Sequence, residues 1–238
     1  MTASVSIVGA TGRVGSAILA HLGARFAVSL VERVPGDEVV RLAERAVLGA
    51  DLLINAAGVA HVEKPTLADI QRLKVGNIDL PLALAEAALA ERISMLHISS
   101  VKAGDSEASS SPYAASKREA EEQLERRFGP AFESDGLSLV VVRPLALLFP
   151  PLDAGRVSRL KFLRRWPVAL TPPVSLPVLA PATFLAAIES LVDQVLAGLA
   201  PLGFTRREFD ANERGTLRDV REAMVRWERS ASLEVGGR

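Results

Sequence analysis

Five short, largely apolar segments set the fold of this chain. Residues 4–8 (SVSIV) run straight into a glycine, and residues 26–31 (FAVSLV), 51–56 (DLLINA), 95–99 (MLHIS) and 137–142 (LSLVVV) share the same texture. A strand with a continuous apolar run, rather than a polar alternation, is one buried on both faces. Helical segments separate them, at 16–22, 38–48, 79–92 and 112–128. In the second of these Val39, Leu42, Ala43, Ala46 and Val47 recur at helical spacing. This β-α alternation predicts an α/β chain with a doubly wound parallel sheet and helices on both faces. After Arg143-Pro144 the texture changes, with Pro150, Pro151, Pro167, Pro172, Pro173, Pro177 and Pro181 crowding one stretch. Helices are predicted there at 155–165, 183–199 and 217–229, with a strand-like segment at 205–209.

The first strand leads into Gly9-Ala-Thr-Gly12-Arg-Val-Gly15. In a turn that opens a helix, the first glycine allows a tight bend. The second lets the backbone approach a pyrophosphate, and the third lets helix and strand pack closely. The free N–H groups and partial positive charge of the helix start favour phosphate. Gly9, Thr11, Gly12, Arg13, Val14 and Gly15 are therefore candidate cofactor ligands, in a first βαβ unit of Rossmann type. Glu32 and Arg33 close the second strand. An acidic residue there holds the adenosine ribose hydroxyls and an arginine accepts a 2′-phosphate. With both present, and Arg13 inside the turn, NAD and NADP stay equally open. The reading is of two parts: a dinucleotide-binding domain at 1–150 and a small C-terminal substrate lobe at 151–238, partly interleaved in a single structural unit.

Composition removes several alternatives. None of the 238 residues is cysteine, which excludes a disulfide scaffold, a thiolate metal site and a Cys nucleophile. The 28 Lys+Arg balance 28 Asp+Glu and aromatics are 5%, which argues against wrapping or stacking on nucleic acid. No run approaches the roughly 18 uninterrupted apolar residues of a membrane span. The N-terminus has no basic segment before its apolar stretch, so the expectation is a cytoplasmic protein without a signal peptide.

A second constellation lies downstream. The strand His97-Ile-Ser99-Ser100 ends in hydroxyls, Tyr113 follows, and Lys117 comes four residues later on a predicted helix. That spacing puts Tyr113 and Lys117 on one face. A phenol near pKa ~10 is a poor base at neutral pH. A neighbouring ammonium favours its phenolate and makes it a usable acid/base. A serine at the carboxyl end of a parallel strand is placed to hydrogen-bond a substrate oxygen. Tyr113 is the chain's sole tyrosine.

In their order, GATGRVG (9–15), LINAAGVAHV (53–62), VGNIDLPLALAEAA (75–88), HISSVKAGD (97–105), SPYAASKREAE (111–121) and VVVRPLALLFP (140–150) resemble the extended short-chain dehydrogenases/reductases. The likeness is to the NAD-dependent epimerase/dehydratase family that includes UDP-glucose 4-epimerase. The resemblance implies Tyr113 as catalytic base, Lys117 as its partner and cofactor-ribose ligand, and Ser100, rather than Ser99, as the hydroxyl that orients substrate. It implies that Ala56, Ala57 and Gly58 line the cofactor, that Asn77 supports the site, and that Pro144 and Leu145 lie near the nicotinamide. It also implies a homodimer through helices beginning near Asn77 and Pro112.

The sequence departs from that family at several places, among them the following. Residues 33–50 hold one helix where the family places a further strand. Val101-Lys102 stands where dehydratases carry an Asp-Glu pair. The C-terminal part is short and lacks a clear arginine motif for a nucleotide-sugar phosphate. His61, after the Asn-Ala-Ala-Gly turn, and Arg164 with Arg165, in a basic run from Arg156, are the substrate candidates; a solvated face is the plainer account of the arginines. His97 reads as a buried structural residue, and no metal site is expected. The leading reading is an NAD(P)-dependent epimerase or oxidoreductase of a nucleotide-activated sugar. The alternatives are an NADPH-dependent reductase of a keto-sugar or small ketone, and a non-catalytic dinucleotide sensor or scaffold.

Overall fold

The computed structural model describes residues 2–31, 38–60, 64–104, 111–147, 167–171, 174–176, 178–209 and 213–225. β1 (Ser4–Val8), β2 (Ala27–Val31), β3 (Leu52–Asn55), β4 (Ser94–Ile98), β5 (Ser138–Arg143) and β8 (Gly203–Glu208) form one sheet in the order β2-β1-β3-β4-β5-β8. Every pairing is parallel. Val8, Asn55, His97 and Val141 lie in one row across the sheet, so all the strands deliver their carboxyl ends to the same edge. β1, β3, β4 and β5 are almost wholly buried, which is why their sequences show no polar alternation.

β2 has the same apolar sequence but a different environment. It is the sheet edge, and its Leu30 is half exposed. The next described elements are α2 (Val39–Val47) and then β3, so among the described residues no further strand pairs beyond β2.

The chain divides into two compact units, Met1–Arg143 with Ala187–Glu208, and Pro144–Ala186 with Phe209–Arg238. In the first, α1 (Arg13–Leu22), α2, α4 (Leu80–Ala90) and α5 (Pro112–Ser134) pack on the sheet, and α3 (Leu67–Lys74) packs on α5. α4 lies between α2 and α5. Its Leu84, Ala85 and Ala88 join Leu42, Ala46 and Val47 of α2, Leu124 and Phe128 of α5, and Leu53, Met95, Leu139 and Val141 of the sheet in one core. Each fully buried leucine there contributes about 1.5–3 kcal/mol.

One element escapes the sequence reading, and another is legible there only as strand-like. α3 shows a weak apolar pattern, with Leu67 and Ile70 exposed and only Leu73 buried. Its start is marked by the Thr66/Asp69 capping box: Asp69 N–H donates to Thr66 Oγ1 (3.2 Å) and Thr66 N–H donates to Asp69 Oδ2 (3.0 Å). The sixth strand, β8, comes from the C-terminal region and closes the sheet beside β5. The preceding helix, α6 (Pro181–Leu196), matches the expected 183–199 closely.

In the second unit β6 (Ala146–Leu147) pairs in parallel with β7 (Val178–Leu179). Val178 packs with Val220, Ala223 and Met224 of the helical residues 217–225, here α7. Arg218 Nε donates to Thr171 O at 3.1 Å. The predicted helix at 155–165 lies outside the described residues. Among the described residues no helix is long and apolar enough to cross a membrane.

Candidate active site

The glycine turn is built by close approach. Gly9 has φ +84°, and a Cβ there would sit 2.5 Å from the Ala57 nitrogen and 2.9 Å from the Ala56 carbonyl carbon. Only glycine tolerates both the left-handed conformation and that contact. A Cβ on Gly15 would lie 2.2 Å from Gly9 O, so this position lets α1 press against the turn. Gly12 differs: its Cβ position meets only Gly9 O, at 3.3 Å, and otherwise opens outward. Gly12 N–H donates to Gly9 O (3.0 Å), and no side chain caps the start of α1. Arg13 begins α1 and is exposed, with Val14 half-buried beside it. The turn forms one wall of a cleft of about 360 Å³, which Thr11, Ala57, Gly58, Val31 and Leu42 also line. A cradle of bare backbone with an apolar side fits a dinucleotide.

Asn55 and Asn77 hold the second wall. Asn55 Oδ1 accepts Ala57 N–H at 3.0 Å and fixes the bend after β3. Asn77 lies in a single π-helical turn, Val75–Asp79, inserted between α3 and α4. It is fully buried. Its Oδ1 accepts Val59 N–H (2.8 Å), and its Nδ2 donates to Val59 O (3.1 Å) and Ser116 Oγ (3.0 Å). One amide thus clamps the loop after Gly58 to the helix that carries Lys117. A Cβ on Gly58 would come within 3.0 Å of Asn77 Oδ1 and 3.2 Å of Lys117 Nζ.

Ser100, Tyr113 and Lys117 meet at the same sheet edge. Ser100 caps a 3₁₀ turn, Val101–Ala103, and its Oγ accepts Lys102 N–H at 3.3 Å. Its own side chain hydrogen-bonds Tyr113. Tyr113 sits in the first turn of α5, and Lys102 Nζ lies 5.7 Å from the centre of its ring. Lys117, one turn further on, is 3% exposed and donates to Ile98 O at 3.2 Å.

Burial governs the charges. It raises the Tyr113 phenol above its ordinary 10.0, and the hydrogen bond from Ser100 opposes that rise. The sequence suggests a phenol lowered by the lysine. In the structure desolvation prevails instead, and the ammonium is turned to a backbone carbonyl. Lys117 itself is pushed down from 10.5 to about 8 by burial, against the pull of Glu121. His97 is fully buried; desolvation, and then the Lys117 charge, hold it neutral. Its Nδ1 lies 3.1 Å from Asn55 Nδ2, which makes Nδ1 the acceptor.

Glu121 and its partners were not singled out from the sequence, although Glu121 follows Lys117 at i+4. Glu121 is 1% exposed. It accepts Ser99 Oγ (2.5 Å), Arg143 Nε (2.9 Å) and Nη2 (2.6 Å), and Arg206 Nε (3.3 Å). Gly104 makes room, since a Cβ there would lie 2.8 Å from Arg143 Nη1.

Pro144 and Leu145 begin the second unit, where Leu145 is buried. Glu32, Arg33, His61, Arg164 and Arg165 lie outside the described residues. A larger depression of about 540 Å³ is lined by Thr2, Asp51, Arg92 and Ser94, at the opposite ends of the strands, and contains none of the motif residues. Among the described residues no group of His, Asp and Glu is placed to hold a metal.

No protein-family profile matches the chain, and no curated protein does. Solved structures match over nearly all of it. The dTDP-4-dehydrorhamnose reductase of Bacillus anthracis, in complex with NADP, superposes with a TM-score of 0.67 at 14% identity, covering 95% of this chain and 81% of that one. UDP-glucuronic acid 4-epimerase of Bacillus cereus, in complex with NAD, gives 0.63 at 14% identity over 91% and 80%. A short-chain dehydrogenase/reductase of Serratia marcescens gives 0.61 at 18% identity over 87% and 96%. At these identities the likeness is one of fold, and the chain has the Rossmann-type fold of these structures.

Proposed function

We propose that this chain is an NAD(P)-dependent oxidoreductase acting on a hydroxyl- or keto-bearing carbon of a nucleotide-activated sugar, with Ser100, Tyr113 and Lys117 as catalytic residues. One observation carries the reading: the glycine cradle, the Ser100–Tyr113 hydroxyl pair and the buried Lys117 ammonium converge on one edge of a parallel sheet. Gly9, Gly12, Gly15 and the start of α1 would hold the pyrophosphate. Val31 and Leu42 would face the adenosine, and Gly58 and Lys117 the nicotinamide ribose, with Asn77 holding the loop beside them in place. When bound, the nicotinamide supplies or accepts a hydride.

The chain's own residues manage the proton. Ser100 Oγ accepts from Lys102 N–H, which leaves its proton for the Tyr113 oxygen. With its pKa above 10.0, Tyr113 is a phenol at neutral pH and donates its proton to a carbonyl oxygen as that oxygen gains negative charge. Lys117, with a pKa of about 8, is an ammonium at pH 7 and stabilises the phenolate left behind. The protonated phenol favours a second reading within the same chemistry, a keto-sugar reductase that consumes NADPH. An epimerase would retain its dinucleotide and return the hydride. A cytoplasmic homodimer, paired through the helices that contain Asn77 and begin at Pro112, belongs to the same proposal.

Titration with NAD, NADH, NADP and NADPH by fluorescence, followed by turnover on a panel of UDP- and dTDP-sugars and their 4-keto forms, tests the assignment. The expected result is micromolar-range binding of one dinucleotide pair. Tyr113→Phe should bind that dinucleotide as the wild type does and turn nothing over. Failure to bind any of the four refutes the reading, as does retained turnover in Tyr113→Phe.

A further inference from the structure

One buried carboxylate beside this site has no part in the proton transfer just described. Glu121 shares a face of α5 with Lys117, one turn on. Packing alone asks for an apolar residue at such a position, as Leu124 and Phe128 provide further along the helix. A buried carboxylate carries a desolvation cost of several kcal/mol and is retained only when closely partnered. Here the partners come from three elements. Ser99 donates from the end of β4, Arg143 donates twice from β5, and Arg206 donates from β8. Both arginines are tied off behind: Arg143 Nη1 to Glu208 at 2.6 Å, and Arg206 Nη2 to Glu125 at 2.6 Å.

Two features link this cluster to the catalytic side chains. Ser99 immediately precedes Ser100, and its hydroxyl is committed to Glu121 while that of Ser100 turns to Tyr113. Ser99 N–H also continues the sheet by donating to Val142 O (2.8 Å), so the strand end is pinned on both its backbone and its side chain. Lys117, for its part, faces groups that carry no negative charge among the described residues. These are Tyr113 on α5, neutral His97 from β4, Asn77 from the π turn and the Ile98 carbonyl. Glu121 is the carboxylate that acts on it.

We propose that Glu121 is the positioning residue of this site: its carboxylate anchors the strand end that presents Ser100, and it is the counter-charge that keeps the buried Lys117 an ammonium. The proposal rests on the reading of Ser100, Tyr113 and Lys117 as the catalytic residues. Its test needs neither cofactor nor substrate, so the two can fail separately. Arg143 and Arg206 compete with Lys117 for the same carboxylate. Removing one of them should therefore strengthen the hold of Glu121 on Lys117, the reverse of removing Glu121 itself.

The chain has five lysines, so a sample enriched with ¹³C at lysine Cε gives five resonances to titrate. That of Lys117 is identified by its loss in Lys117→Met. The wild-type midpoint is expected near 8. Glu121→Gln, close in shape, should lower it by about one pH unit. Arg206→Gln, at a side chain 31% exposed and so tolerant of change, should raise it. A purely structural Glu121 would leave the midpoint of a folded variant where it was. An unmoved midpoint in Glu121→Gln overturns the proposal. Should that variant not fold, an unmoved or lowered midpoint in Arg206→Gln overturns it.

Discussion

Lys117→Met should make this protein more stable at neutral pH. Lys117 is 3% exposed, and its ammonium drops from 10.5 to about 8 because burial penalises the charge. That drop corresponds to about 3 kcal/mol carried by the native state at pH 7, where the group is still protonated. Methionine fills a similar volume without a charge. The loss of the Nζ hydrogen bond to Ile98 O (3.2 Å) takes back about 1 kcal/mol. A net gain of about 2 kcal/mol remains, and Glu121 stays partnered by Arg143 in the variant. The sign has a pH signature. Between pH 8 and 10.5 the unfolded wild type holds a proton that the native state has released, so wild-type stability rises with pH across that window. The advantage of Lys117→Met should accordingly shrink by about 1.4 kcal/mol from pH 7 to pH 9. Urea unfolding of both proteins at the two pH values, followed by far-UV circular dichroism, measures it. A variant less stable than the wild type at pH 7, or a difference that does not change with pH, would refute the reasoning.

Two further substitutions probe the cradle and the carboxylate cluster. Gly15→Ala forces a Cβ to within 2.2 Å of Gly9 O; it should cost about 1–3 kcal/mol in thermal stability and weaken dinucleotide binding at least tenfold. Wild-type affinity in that variant would show that the turn does not form the phosphate cradle. Arg143→Gln removes the two closest cationic donors of Glu121 and should destabilise by about 3–5 kcal/mol in urea. A loss under 1 kcal/mol would mean that Arg206 alone satisfies the carboxylate.

The sheet was legible because its strands are buried on both faces, and double burial writes an apolar run that needs no alignment to read. The residues 4–8 and 51–56 fall on β1 and β3 for that reason. β2 shows the limit: FAVSLV is as apolar as the others, yet it lies at the edge with Leu30 half exposed, because strand order is decided by the connections. β8 was read only as strand-like because Arg206 and Arg207 interrupt it. Arg206 is spent on Glu121 and Glu125, a pairing that forms only once the sheet has assembled. Of the site, Gly9, Gly15, Tyr113 and Lys117 could be read because backbone geometry and helical spacing are local properties. Asn77 came from resemblance alone, since its partners Val59 and Ser116 lie 18 and 39 residues away. Glu121 was hidden for the same reason: on a charged helix its i+4 spacing from Lys117 looks like surface, and only Ser99, Arg143 and Arg206 reveal it as core.

These positions share a physical logic. A site that moves a proton at neutral pH, as the proposed function requires, needs groups whose charge can change, held where water does not level them. Lys117, His97 and Glu121 are all buried within two turns of α5 and the end of β4. An apolar replacement at Lys117 is expected to stabilise the fold, so stability alone does not account for an ammonium there. The same holds for a carboxylate that must recruit two arginines to stay buried. Apolar packing is complete immediately below, at Leu124, Phe128 and Met95. The polar cluster spans the last rows of the sheet, from His97 and Arg206 to Arg143 and Glu208. The concentration of costly charge at the carboxyl ends of the strands, above the apolar packing, is what the proposed function accounts for and fold stability does not.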